Sequence, residues 1–86
     1  MAKILIADDE PTIRRTLGAF LEEVGHEVRL AGSLAEASPL LAGAGMDVAV
    51  IDILLGPDNG LDLARRLRAA CANAQIVLLT DKPNLA

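Results

Sequence analysis

The carboxylates and the hydroxyl best suited to chemistry in this chain stand at the downstream ends of short apolar runs. Ile4 to Ala7 leads into Asp8, Asp9 and Glu10; Val48 to Ile51 leads into Asp52; Ile76 to Leu79 leads into Thr80. If these runs are parallel strands of one sheet, three or four carboxylates and one hydroxyl meet at one rim. That rim lies beyond the carboxyl ends of the strands, where open α/β sheets bind ligands. Carboxylates packed together repel unless a cation neutralises them or one takes a proton. Hard oxygen donors favour Mg²⁺, which keeps several waters and leaves room for a phosphate oxygen. A carboxylate held beside such an ion can attack phosphorus and form an acyl phosphate.

The elements that must position these groups are legible in the hydrophobic pattern. Four apolar segments, Ile4 to Ala7, Val28 to Ala31, Val48 to Ile51 and Ile76 to Leu79, alternate with helical stretches. Three are unbroken runs of Ile, Val, Leu and Ala, as in parallel strands covered on both faces. The second is interrupted by Arg29 and suits an edge strand. Pro11 suits a first helical position, with Ile13, Leu17, Phe20, Leu21 and Val24 following at helical spacing and Gly25 as a C-cap. Ser33 and Glu36 have capping-box spacing for a second helix. Pro39 leaves two readings of it: a helix bent at Pro39, or a later start with Ser38 as cap. Asn59 can cap a third helix, with Leu61, Leu63, Ala64, Leu67 and Ala70 inward and Arg65, Arg66 and Arg68 mostly outward. The order β-α-β-α-β-α-β with right-handed crossovers predicts a parallel sheet with helices on both faces.

Composition narrows the function. The 86 residues are 52% apolar, which excludes long disorder, and their net charge of −4 argues against a nucleic-acid-binding face. Phe20 is the only aromatic residue, so neither an aromatic cage nor a base-stacking platform is expected. One cysteine, Cys71, rules out an intramolecular disulfide and a Cys-rich zinc site. No run approaches the ~20 apolar residues of a membrane span, and no signal-peptide pattern opens the chain. The expected location is cytoplasmic, with no membrane contact. The fourth run is as apolar as a central strand, yet only Asp81 to Ala86 follow it. A bare apolar edge is an association hazard, so pairing with another molecule or a longer parent chain is expected.

Several pieces then combine: the Ile-Leu-Ile-Ala-Asp-Asp-Glu start, the Gly-His-Glu-Val stretch at 25–28, Ala31-Gly32-Ser33 with Glu36-Ala37, Asp52 with Gly60 eight residues later, and Thr80. No single piece is specific, but in this order and spacing the chain resembles the receiver domain of bacterial response regulators over all 86 residues. The resemblance implies a flavodoxin-like, doubly wound α/β fold, with four strands in the order 2-1-3-4 and three helices. The family's fifth strand and last helices are missing, so residues 1–86 read as a single, incomplete receiver domain. It further implies that Asp52 accepts a phosphoryl group from a histidine kinase or phosphotransfer protein. Asp8 and Asp9 would hold Mg²⁺ with Asp52, and the backbone carbonyl of Leu54 would complete the shell. Thr80 would contact the phosphoryl oxygen and report its presence. No enzymatic activity is expected beyond Mg²⁺-dependent self-phosphorylation and autodephosphorylation.

The chain departs from the family pattern in three places. The family's lysine, at the end of a fifth strand, has no counterpart; Lys82 follows Thr80 too closely to be its equivalent. Asp81 stands where the family favours a small residue, and its carboxylate is expected to repel phosphate. Pro57 comes five residues after Asp52, one later than the family's usual proline, so a different loop path is expected. Leu54, Asp81 and Lys82 are the candidate modulators. In the family the last helix packs beside the first; without it, one face of the third and fourth strands is uncovered, which favours a homodimer or the remainder of a longer regulator.

Most other polar groups have ordinary readings: Glu10 as surface charge, His26 as an exposed turn residue, Arg65, Arg66 and Arg68 as a solvated helix face. Met46 and Cys71 read as core-filling groups. The alternative function is a non-phosphorylated receiver that acts by dimerising through its open edge. An aspartate-nucleophile phosphohydrolase is disfavoured because Ile53-Leu54 stands where that class needs Asp-x-Asp. Nucleotide binding is disfavoured by the lack of a glycine-rich loop.

Overall fold

The computed structural model describes residues 1–42 and 45–80. Their main sheet is parallel. Its strands are β1 (Lys3–Ala7), β2 (Glu27–Ala31), β3 (Val48–Asp52) and, last among the described residues, β6 (Gln75–Leu79), in the order β2-β1-β3-β6. This is the expected doubly wound order, with the Arg29-bearing strand at one edge. Three helices connect the strands: α1 (Pro11–Glu23), α2 (Leu34–Leu41) and α3 (Gly60–Ala70). An unforeseen two-residue antiparallel ladder, β4 (Leu54–Leu55) with β5 (Asp58–Asn59), closes the loop after β3 through Gly56-Pro57.

The core lies between the sheet and the α2/α3 pair. Leu5, Ala7, Ala49 and Ile51 face Ala37, Leu41, Leu55, Leu63 and Leu67, all buried. Met46 joins this core, and Cys71 packs against it as a partly buried apolar group. Alternate residues point to the α1 face. There Gly18 lets the helix approach β2 so closely that a Cβ would stand 3.1 Å from Leu30.

Helix ends follow the sequence signals, with one addition and one correction. At the end of α1, the Gly25 N–H donates to the Glu22 carbonyl and the His26 N–H to the Leu21 carbonyl, both at 3.0 Å. This is a Schellman closure, with Gly25 at φ +100°. The Ser33 hydroxyl accepts from the Glu36 N–H at 3.1 Å. Ser33 is therefore the cap of α2, and the helix runs on through Pro39. Asn59 caps α3 by accepting from the Leu61 N–H. Glu10, read only as surface charge, is exposed as expected but also N-caps α1, accepting from the Thr12 N–H at 3.4 Å. His26 is half-buried rather than exposed, because its Nδ1 accepts from the Ala2 N–H at 3.0 Å.

The expected packing face of α1 also needs correction. Ile13, Phe20 and Val24 are 47%, 59% and 55% exposed, and Gly18 is the buried residue of the helix. The helix lies over β1 and β2, so its contact stripe is narrower than its apolar stripe. Ala70, expected inward on α3, is exposed. Both faces of β6 carry exposed apolar residues, Val77 at 47% and Leu78 at 42%, consistent with its place at a sheet edge.

Candidate functional site

Parallel register brings the ends of β1 and β3 side by side: Ala7 pairs with Ile51, and Asp52 with Leu79. Asp8, Asp9 and Asp52 therefore emerge together at the carboxyl rim. One carboxylate oxygen from each lies within 4.8 Å of the others. Asp8 is 3% exposed, Asp52 half-buried and Asp9 exposed. Like charges this close repel, and solvent screening lowers the repulsion at exposed Asp9. A divalent cation relieves that repulsion, and the donors are all hard oxygens, so the residues present fit Mg²⁺.

Local hydrogen bonds hold two of the three carboxylates in place. Asp8 Oδ1 accepts from the Glu10 N–H, and Asp52 Oδ1 accepts from the Leu54 N–H, both at 2.9 Å. Both are Asx turns, in which a short side chain satisfies the backbone where the strand ends. Arg14 donates from Nη1 to the Asp8 carbonyl at 2.7 Å and braces the end of β1 against α1. The end of β3 is pinned on both sides. The Ile53 N–H donates to the Leu79 carbonyl at 2.9 Å, and the Gly60 N–H donates to the Ile53 carbonyl at 2.8 Å.

Thr80 follows Leu79 directly and so stands at the same end of the sheet, one position beyond the partner of Asp52. Leu54 is 50% exposed beside the site. Asp81 and Lys82 lie outside the described residues. Three further groups shape the site: Gly60, marked by its spacing in the sequence, and Gly56 and Asp58, to which sequence reasoning gave no role in it. In the fold, a Cβ at Gly60 would overlap the Asp52 carbonyl oxygen. Gly56 faces Asp9, and a Cβ added to it would stand 3.9 Å from Asp9 Oδ2. Asp58 accepts from the Leu34 N–H at 3.1 Å across 24 residues. A carboxylate two residues from Gly56 carries no sequence signal for so distant a partner.

Comparison with known proteins agrees with this geometry. The model of the response regulator receiver domain matches residues 4–86. The alginate biosynthesis transcriptional regulatory protein AlgB of Pseudomonas putida is 38% identical over 78 residues, covering 91% of this chain but 17% of that protein. A response regulator of Burkholderia pseudomallei, solved with a phosphorylated aspartic acid, calcium ion and citrate, superposes with a TM-score of 0.88 at 32% identity, covering 93% of this chain and 47% of that one. The response regulator TrrA of Thermotoga maritima, in complex with Mg²⁺ and BeF, gives 0.81 at 34% identity, covering 99% and 77%. The chain thus spans about a sixth of its curated relative's length. With the family's model matched from residue 4 onward and the acidic rim in place, this chain belongs to the response regulator receiver domain family.

Proposed function

We propose that this chain belongs to the receiver domain of a cytoplasmic two-component regulator, in which Asp52 accepts a phosphoryl group from a histidine kinase or phosphotransfer protein. The observation that carries this reading is the meeting of Asp8, Asp9 and Asp52 oxygens within 4.8 Å at the sheet's carboxyl rim. The Asp52 carboxylate forms the new O–P bond as the donor's P–N bond breaks, and the donor imidazole leaves with the electron pair. The Leu54 N–H fixes the orientation of the attacking carboxylate. Asp8, Asp9, Asp52 and the Leu54 carbonyl are the groups to hold Mg²⁺, which neutralises charge on the phosphoryl oxygens when bound. Thr80 is the group to contact the phosphoryl oxygen and bias the surface around it. Asp81 and Lys82 act as modulators, the former by repelling phosphate. The net charge of −4 supports a protein partner over nucleic acid.

Intact mass before and after incubation with Mg²⁺ and a small acyl phosphate tests this. The expected result is a gain of one phosphoryl mass that is absent in Asp52→Asn and absent without Mg²⁺. No gain in the parent chain overturns it. The exposed Val77 and Leu78 on β6 favour a second reading: a self-associating interaction module that needs no phosphate. Sedimentation of the unphosphorylated chain distinguishes the two, since the module reading requires a dimer at micromolar concentration.

A further inference from the structure

A side chain of the loop that follows Asp52 is hydrogen-bonded to the start of α2. β4 and β5 pair Leu54 with Asn59 and Leu55 with Asp58, making the 54–59 segment one antiparallel turn. At one end of this turn, Asp52 Oδ1 receives the Leu54 N–H at 2.9 Å. Near its tip, Gly56 stands against Asp9. At its far side, Asp58 Oδ2 receives the Leu34 N–H, the first N–H of α2, at 3.1 Å. That N–H has no acceptor within its own helix, and the helix end favours an anion. α2 therefore has two caps: the local Ser33, which takes the Glu36 N–H, and the remote Asp58. The second connects the helix to the turn that follows Asp52.

We infer that Asp58 is a positioning residue for the carboxylate site: it anchors the 54–59 turn to α2, sets where the Leu54 backbone and Gly56 stand against Asp9 and Asp52, and makes the first turn of α2 respond to an ion held there. This rests on the receiver reading of Asp8, Asp9 and Asp52. The coupling is reciprocal. If the anchored turn favours the ion, the bound ion favours the Asp58–Leu34 bond by the same factor.

Magnesium titration of the 86-residue chain, followed by amide NMR, tests the inference with four proteins: the parent, Asp58→Asn, Asp58→Ala and Ser33→Ala. The Asp9 and Leu54 amides report the ion, and the Leu34 amide reports the anchor. Losing a cap of this strength predicts Mg²⁺ binding about two- to fivefold weaker in Asp58→Ala. Asp58→Asn keeps an acceptor but loses the charge, and falls between. Ser33→Ala weakens α2 without touching the turn and keeps the parent affinity. In the parent the Leu34 amide shifts along the same titration curve as Leu54, and in Asp58→Ala it does not. Parent affinity in Asp58→Ala, or equal weakening in Ser33→Ala, overturns the positioning role while leaving the receiver reading intact. Absence of any Mg²⁺ response at Asp9 and Leu54 in the parent overturns the receiver reading and this inference with it.

Discussion

Replacing Gly60 with alanine is the sharpest test of how the site is built. Gly60 does not have a positive φ, so backbone conformation does not demand glycine there; space does. An added Cβ overlaps the Asp52 carbonyl oxygen, comes 2.9 Å from the Asp52 carbonyl carbon and 3.0 Å from Ile51 Cγ2. Two of these neighbours are backbone, and Ile51 is fully buried, so none yields cheaply. Forcing a methyl into packed structure costs about 1–3 kcal/mol. Displacing α3 also strains the 2.8 Å bond from the Gly60 N–H to Ile53, worth about 1 kcal/mol. The helix preference of alanine returns at most about 1 kcal/mol. The net is a loss of about 2 kcal/mol, from a total of about 4–13 kcal/mol for a domain of this size. With a urea slope of about 1 kcal/mol/M for a small domain, the midpoint falls by about 2 M. Helical circular dichroism follows the transition. Gly18→Ala is the control: its Cβ meets side-chain ends, of Leu30 at 3.1 Å and Val28 at 3.7 Å, and no backbone, so its midpoint should fall by less than that of Gly60→Ala. A Gly60→Ala chain that unfolds at the parent midpoint, and still takes up phosphate, would refute the reasoning.

Other outcomes follow from burial. Leu63→Ala, at a side chain with no exposure, should cost about 2–5 kcal/mol in urea unfolding, whereas Phe20→Ala, at 59% exposure, should cost less than about 1 kcal/mol. Ser33→Ala removes the local cap of α2 and should cost about 1 kcal/mol in the same assay. Val77→Lys charges the exposed β6 edge and should shift any dimer toward monomer in sedimentation; an unchanged distribution would place self-association elsewhere.

The order of the main-sheet strands and helices and the end of each strand were legible in the residues; the β4–β5 ladder was not. Unbroken Ile, Val, Leu and Ala runs have no solvent-facing alternation, so they read as strands covered on both faces, which holds for β1 and β3 but not for β6, where Val77 and Leu78 are exposed. The acids and the threonine mark where each run stops. Helix caps were equally local, since Ser33, Gly25 and Asn59 act on N–H and C=O groups within a few residues. Local pattern carries no information about which neighbour arrives from far along the chain. The apolar stripe of α1 was visible, but only packing determined that the helix contacts β1 and β2 through a narrower strip, leaving Phe20 outside. The spacing of Gly60 was visible, but only the approach of α3 to the end of β3 explains why no side chain fits. Asp58 reads as an ordinary loop acid until the fold delivers the first N–H of α2 to it. Burial and capping over a few residues depend on chain chemistry alone; long-range closeness depends on how helices and strands pack, and that was decided only in three dimensions.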